Sequence, residues 1–140
     1  MMEAAEKAAQ ETARSLNRPP PLILGVTVLT SLDESDLASV GVESGVEKQV
    51  ERLALLAVRA GLRGLVCSPL ELGLLWKVLP PAIQLVTPGI RAATDAVGDQ
   101  RRTMSAKEAL AAGANWLVIG RPIYASPNPR KSAEEILASL

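Results

Sequence analysis

The 140 residues suffice for one hydrophobic core, and 48% hydrophobic against 21% charged residues fits an ordinary soluble domain. Fifteen Lys and Arg balance fifteen Asp and Glu, so no net field draws the chain to nucleic acid or an anionic membrane, and anion recognition must be local. His is absent, Cys67 is the sole cysteine, and the only aromatic rings are those of Trp76, Trp116 and Tyr124. That excludes His-based triads, His/Cys zinc sites, an intrachain disulfide and a base-stacking surface.

Met1 to Leu16, rich in Ala, Glu, Lys and Gln, predicts a helix that the prolines at 19–21 end. Leu22 to Val28 (LILGVTV) reads as a strand buried on both faces, with Thr30 and Ser31 just past its end. Ser31 and Glu34 fit a capping box opening a short helix near Asp33 to Ala38. A stronger helix is expected from Val46 to Ala60, burying Val46, Val50, Leu53, Ala57 and Ala60, with Gly61 as its stop.

Leu65 to Cys67 is the next strand. Ser68-Pro69-Leu70-Glu71 reads as N-cap, first-turn proline and third-position Glu of a helix reaching Leu79. Ile83 to Val86 is again strand. An unusually long connection, Thr87 to Met104, then suggests a ligand loop or mobile lid. Ser105 and Glu108 form a second capping box for a helix stopped by Gly113; Trp116 to Ile119 is the last strand, and Asn128-Pro129 caps a terminal helix reaching Leu140.

The predicted order is a helix followed by strand–helix four times. Such alternation implies parallel strands with right-handed helical crossovers, an α/β fold. Four strands could form an open sheet, but the chemistry at their ends resembles one half of an eight-stranded barrel, whose complete form takes about 250 residues. No apolar run is long enough to span a bilayer and the N-terminus does not read as a signal peptide, so the cytoplasm is the expected compartment.

The candidate functional residues cluster after the last two strands. Val86-Thr87-Pro88-Gly89-Ile90-Arg91 is followed by Gly98-Asp99-Gln100-Arg101, and Val118-Ile119-Gly120-Arg121 lies further on. A glycine directly after a buried strand lets backbone approach an anion, and a neighbouring guanidinium adds a planar fork suited to phosphate. Gln100 can donate and accept at once, as a bridge between a phosphate and a polar ring requires. Singly, each has an ordinary reading: Gly120 as a turn, Arg91 and Arg121 as surface charges, Gln100 as a solvated loop residue, Thr30 as a strand end. Cys67 reads as a small core residue, and Trp76 and Trp116 as packing.

Together, in this order, Val-Thr-Pro-Gly-Ile-Arg, Gly-Asp-Gln-Arg-Arg, a capped helix ending Ala-Gly-Ala and Leu-Val-Ile-Gly-Arg-Pro-Ile closely resemble the orotidine 5′-phosphate decarboxylase family, as does Val26-Thr27-Val28-Leu29-Thr30-Ser31 upstream. The resemblance covers nearly the whole chain. It implies residues 1–140 as a partial domain, the C-terminal half of a (β/α)8 TIM barrel: strands five to eight with their helices. It implies conversion of orotidine 5′-monophosphate to uridine 5′-monophosphate and CO2 without metal or organic cofactor. Substrate binding is implied for Thr30 near the pyrimidine, for Pro88 and Arg91 in the loop after the seventh strand, for Gln100 between base and phosphate, and for Gly120 and Arg121 at the phosphate. A nucleotide is then the partner, with a homodimer as the complete form.

One departure limits the expectation. The family's catalytic lysine and aspartates follow an Asp-x-Lys-x-x-Asp pattern at the third strand, and no such pattern occurs in these 140 residues. No catalytic residue is therefore assigned, and the chain alone is expected to be inactive, as a fragment or one half of a split protein. Two other readings remain: a sugar-phosphate decarboxylase or aldolase of the same superfamily, which the Thr-Pro-Gly-Ile-Arg and Gly-Asp-Gln pair disfavours, and a non-catalytic half-barrel assembly module.

Overall fold

The computed structural model describes residues 1–91 and 102–140. Along them run α1 (Met2–Ser15), β1 (Leu24–Val26), α2 (Glu34–Ser39), α3 (Val46–Arg59), β2 (Gly64–Val66), a 3-10 turn (Pro69–Glu71) leading into α4 (Leu72–Leu75), β3 (Gln84–Thr87), α5 (Ala106–Ala111), β4 (Trp116–Leu117), α6 (Arg121–Tyr124) and α7 (Pro129–Ala138). The strands lie side by side in sequence order, each parallel to the next. Every return between them runs through helix, the connection that parallel neighbours need.

The register sorts the strand residues into two faces. Gly25, Leu65 and Leu85 align across one row, and Val26, Val66, Val86 and Trp116 across the next. Successive side chains on a strand point to opposite sides, so these rows face opposite ways. The first row is under the helices: Leu65 and Leu85 are fully buried with Val50, Ala54 and Ala57 of α3, Leu62, and Leu72 and Leu75 of α4. A Cβ at Gly25 would stand 2.9 Å from the Ala57 Cβ and 3.2 Å from Leu62 Cδ2, so glycine there is what lets α3 lie against β1. The second row is open at its two ends, where Val26 is 56% exposed and Trp116 59%, with Val66 and Val86 half-buried between them. A face that reads as buried strand in the sequence is thus half uncovered.

Several expectations are corrected. The cap of α2 is Asp33, not Ser31: Asp33 Oδ1 accepts from the Asp36 amide and Asp36 Oδ2 from the Asp33 amide, both at 3.0 Å. A carboxylate is the stronger acceptor at an N-terminus, and Ser31 stays with the end of β1. The helix expected to reach Leu79 is a tight turn plus a short α4, its chain continuing in turns to Pro80. Ala54, left out of the predicted buried stripe of α3, is wholly buried. Trp116 does not pack inside; it lies on the bare face with its indole nitrogen donating to Gln84 Oε1 at 2.7 Å. The short α6 is an addition.

Other boundaries hold. Ser68 and Ser105 each close a capping box, with Glu71 and Glu108, and Asn128 Oδ1 accepts from the Lys131 amide. Gly61 and Gly113 take positive φ, 89° and 100°, where the chain turns out of α3 and α5. The Trp76 indole donates to the Gly113 carbonyl at 3.1 Å.

Candidate functional site

All four strands point the same way, so the residues that follow them gather at one end of the sheet. Thr30 follows β1, Cys67 and Ser68 follow β2, Pro88 follows β3, and Gly120 follows β4. An open cleft of about 230 Å³ lies there, lined by Val26, Val28, Leu29, Thr30, Ser31, Val66, Cys67 and Pro88. Its floor is apolar strand from the bare face; its rim carries hydroxyls. Larger hollows of about 320 and 380 Å³ lie on α3 and α1, away from the strand ends.

Of the candidate residues, Thr30 and Pro88 meet in this cleft. Arg91 is buried and does not line it. Ile90 pairs with Met104 in a parallel bridge, the Arg91 amide donates to the Met104 carbonyl at 3.0 Å, and Arg91 Nη1 donates to the Ile90 carbonyl at 2.7 Å. That bridge closes the base of the long β3–α5 connection. Gly120 is the N-cap of α6, its carbonyl accepting from the Ile123 and Tyr124 amides, and Arg121 is half-buried as the first helical residue. The Val118 amide donates to the Thr87 carbonyl at 2.9 Å, which sets the ends of β3 and β4 side by side. Neither Gly120 nor Arg121 lines the cleft. Gln100, and most of the expected loop, lie outside the described residues.

Sequence reasoning missed the charged groups at the same end. Glu71 and Arg102 form a buried ion pair. Glu71 Oε2 accepts from the Ser68 amide at 2.9 Å, while Arg102 Nη2 donates to the Leu29 carbonyl at 2.8 Å and to that of Val28 at 3.2 Å. Burial lowers the Arg102 pKa from its ordinary value, opposed by Cys67. The Cys67 thiol is pushed up to about 12 by burial, which outweighs the lowering effect of the neighbouring Thr87 side chain and of the Arg102 charge. The available signal was in the sequence alone: Arg102, the second of two arginines directly after Gln100, closes the long stretch between β3 and α5. Among the described residues no three His, Cys, Asp or Glu converge as a metal-ligand cluster, and no helix is long and apolar enough to cross a membrane.

Residues 1–136 match the family described as orotidine 5′-phosphate decarboxylase / HUMPS. The chain is 51% identical over 141 residues to an orotidine 5′-phosphate decarboxylase of Moorella thermoacetica, covering 100% of this chain and 56% of that protein. Identity to the orotidine 5′-phosphate decarboxylase of Opitutus terrae is 54% over 140 residues, covering 100% of this chain and 59% of that protein. The crystal structure of the Lactobacillus acidophilus enzyme of that name superposes with a TM-score of 0.79 at 29% identity, over 99% of this chain and 57% of that one. An uncharacterized conserved protein from Geobacillus kaustophilus gives a TM-score of 0.77 at 27% identity, again over 99% and 57%. The chain therefore spans somewhat more than half the length of the relatives it matches, and its four-stranded parallel sheet with alternating helices is consistent with half of a (β/α) barrel. With that match along almost its whole length, the chain belongs to the orotidine 5′-phosphate decarboxylase / HUMPS family.

Proposed function

We propose that this chain is the C-terminal half of an orotidine 5′-phosphate decarboxylase barrel and supplies its phosphate- and base-binding side. What supports the reading is the cleft at the strand ends, where Thr30 and Pro88 meet, at the end of the sheet from which β4 runs on into Gly120 and Arg121. Strand-to-helix loops at the C-terminal ends of parallel barrel strands are where such folds hold phosphorylated ligands. In this reading Thr30 faces the pyrimidine, Pro88 and Arg91 belong to the wall beside it, and Gln100 bridges base and phosphate. Gly120 gives a backbone approach to the phosphate and Arg121 a guanidinium to hold it. Gripping a remote dianion contributes binding energy that is realised at the reacting carbon.

The bond-breaking step needs groups this chain does not carry. When the bond from C6 to the carboxyl carbon breaks, CO2 leaves, the electron pair stays on C6, and a proton must be delivered there. A lysine held among aspartates does this in the family resemblance above, and preorganised charge supplies the rate. In this reading they come from the polypeptide that completes the barrel, and the complete enzyme is a homodimer.

The test is reconstitution. The chain, a separately produced first half of the Opitutus terrae relative, and their mixture are assayed for loss of orotidine 5′-monophosphate. The mixture is expected to decarboxylate and each half to be inactive. Arg121→Ala in the mixture is expected to raise KM by about 10- to 100-fold, the scale of one lost charged hydrogen bond. A folded but inactive mixture overturns the reading, as does a mixture that acts only on pentulose phosphates, which assigns the sugar-phosphate branch.

A further inference from the structure

The hydrogen-bond ladder between β1 and β2 ends at the Thr27 amide, which donates to the Val66 carbonyl at 3.1 Å. Beyond it the chain must still carry Val28, Leu29 and Thr30 to the cleft, and its carbonyls need other partners. For Val28 and Leu29 one side chain donates, and the Leu29 carbonyl also accepts from the Leu32 amide. Arg102 Nη2 reaches the carbonyls of both Val28 and Leu29, while Nη1 pairs with Glu71, whose other oxygen holds the Ser68 amide after β2. Two residues on, Met104 bridges to Ile90 after β3. A planar fork holds its donors in fixed, well-separated directions that suit three spread acceptors, whereas an ammonium offers its three donors from one compact point. A buried ion pair adds little net stability compared with apolar packing, so its use lies in fixing geometry.

We propose that Arg102 and Glu71 are positioning residues, which together hold the segment after β1, and with it Thr30, at the mouth of the cleft. The consequence for nucleotide binding rests on the reading of the cleft above; the clamp itself does not. The local reporter is the Leu32 amide, which donates to the same Leu29 carbonyl at 3.0 Å. The control is α3, whose Val50 and Ala54 amides lie far along the chain in the buried core.

The experiment compares the parent chain with Arg102→Lys and with the double variant Arg102→Met/Glu71→Gln, which leaves no orphan charge and keeps an acceptor for the Ser68 amide. Amide hydrogen exchange is expected to be about tenfold faster at Leu32 in both, the scale of one lost charged hydrogen bond, with Val50 and Ala54 unchanged. Binding of uridine 5′-monophosphate, followed by calorimetry, is expected to weaken by a similar factor, while binding of inorganic phosphate is unchanged. Unaltered exchange at Leu32, or equal acceleration in α3, overturns the clamp, the second because it marks a general loss of stability. A parent chain that binds no uridine 5′-monophosphate overturns the nucleotide reading of the cleft, and the Leu32 measurement then decides the clamp by itself.

Discussion

Cys67 stands where the buried core meets the cleft, and its chemistry follows from that position. Burial outweighs the neighbouring Thr87 side chain and the Arg102 charge, so the thiol stays protonated far above neutral pH. Between the ordinary value of 9.0 and about 12, the folded chain therefore holds a proton that the unfolded chain has released. Unfolding is then favoured as pH rises, and stability should fall through that window. The urea midpoint of the parent is expected to drop more steeply above pH 9.0 than that of Cys67→Ala, although the variant starts about 1 kcal/mol less stable near neutrality. Parallel pH profiles for the two chains would refute this. Glu71 shows how one residue can be legible and still incompletely read. Its place three residues after Ser68 announces a cap, and the cap is there. Its second oxygen serves Arg102, thirty-one positions away, and no local pattern announces that.

At the scale of elements, close approach is set by single atoms. Gly25→Ala would drive a methyl into Ala57 and Leu62, and should cost about 1–3 kcal/mol in chemical denaturation. Gly73→Ala is the control, since nothing lies within 4 Å of a Cβ there and alanine is the better helix former. Equal effects of the two would show that α3 does not seat on β1 as described. The order of elements was readable because each helix start carries its own chemistry: Ser68, Ser105 and Asn128 sit where caps belong. Strand lengths were not readable. Leu22 to Val28 is apolar but for Thr27, yet the ladder takes only Leu24 to Val26, because pairing depends on where the neighbouring strand starts and stops. Thr30 and Pro88 were legible as residues just past strand ends; that they line one cleft was not. Whether Arg91, Gly120 and Arg121 join them depends on loop paths, which composition does not encode.

At the scale of the molecule, the sheet is covered on one side and open on the other. Leu24, Val26, Leu29, Trp116 and Val118 are all exposed, and among the described residues β1 and β4 each keep an unpaired edge. Apolar area of this kind drives association, and open edges give it a template. In isolation the chain should sediment as species heavier than 14.7 kDa, or melt without cooperativity. Val26→Lys with Val118→Lys should shift it toward the monomer. A monodisperse parent monomer that melts in one sharp step would contradict the expectation.

The placing of the two tryptophans has a use of its own. Trp76 is packed with the core beneath the helices, and Trp116 stands on the uncovered strands, so the chain carries one indole on each side of its sheet. With no phenylalanine and a single tyrosine elsewhere, near-ultraviolet emission reduces to two lamps. Leaving Trp76 alone by Trp116→Leu, or Trp116 alone by Trp76→Leu, separates the light of the interior from the light of the side awaiting cover.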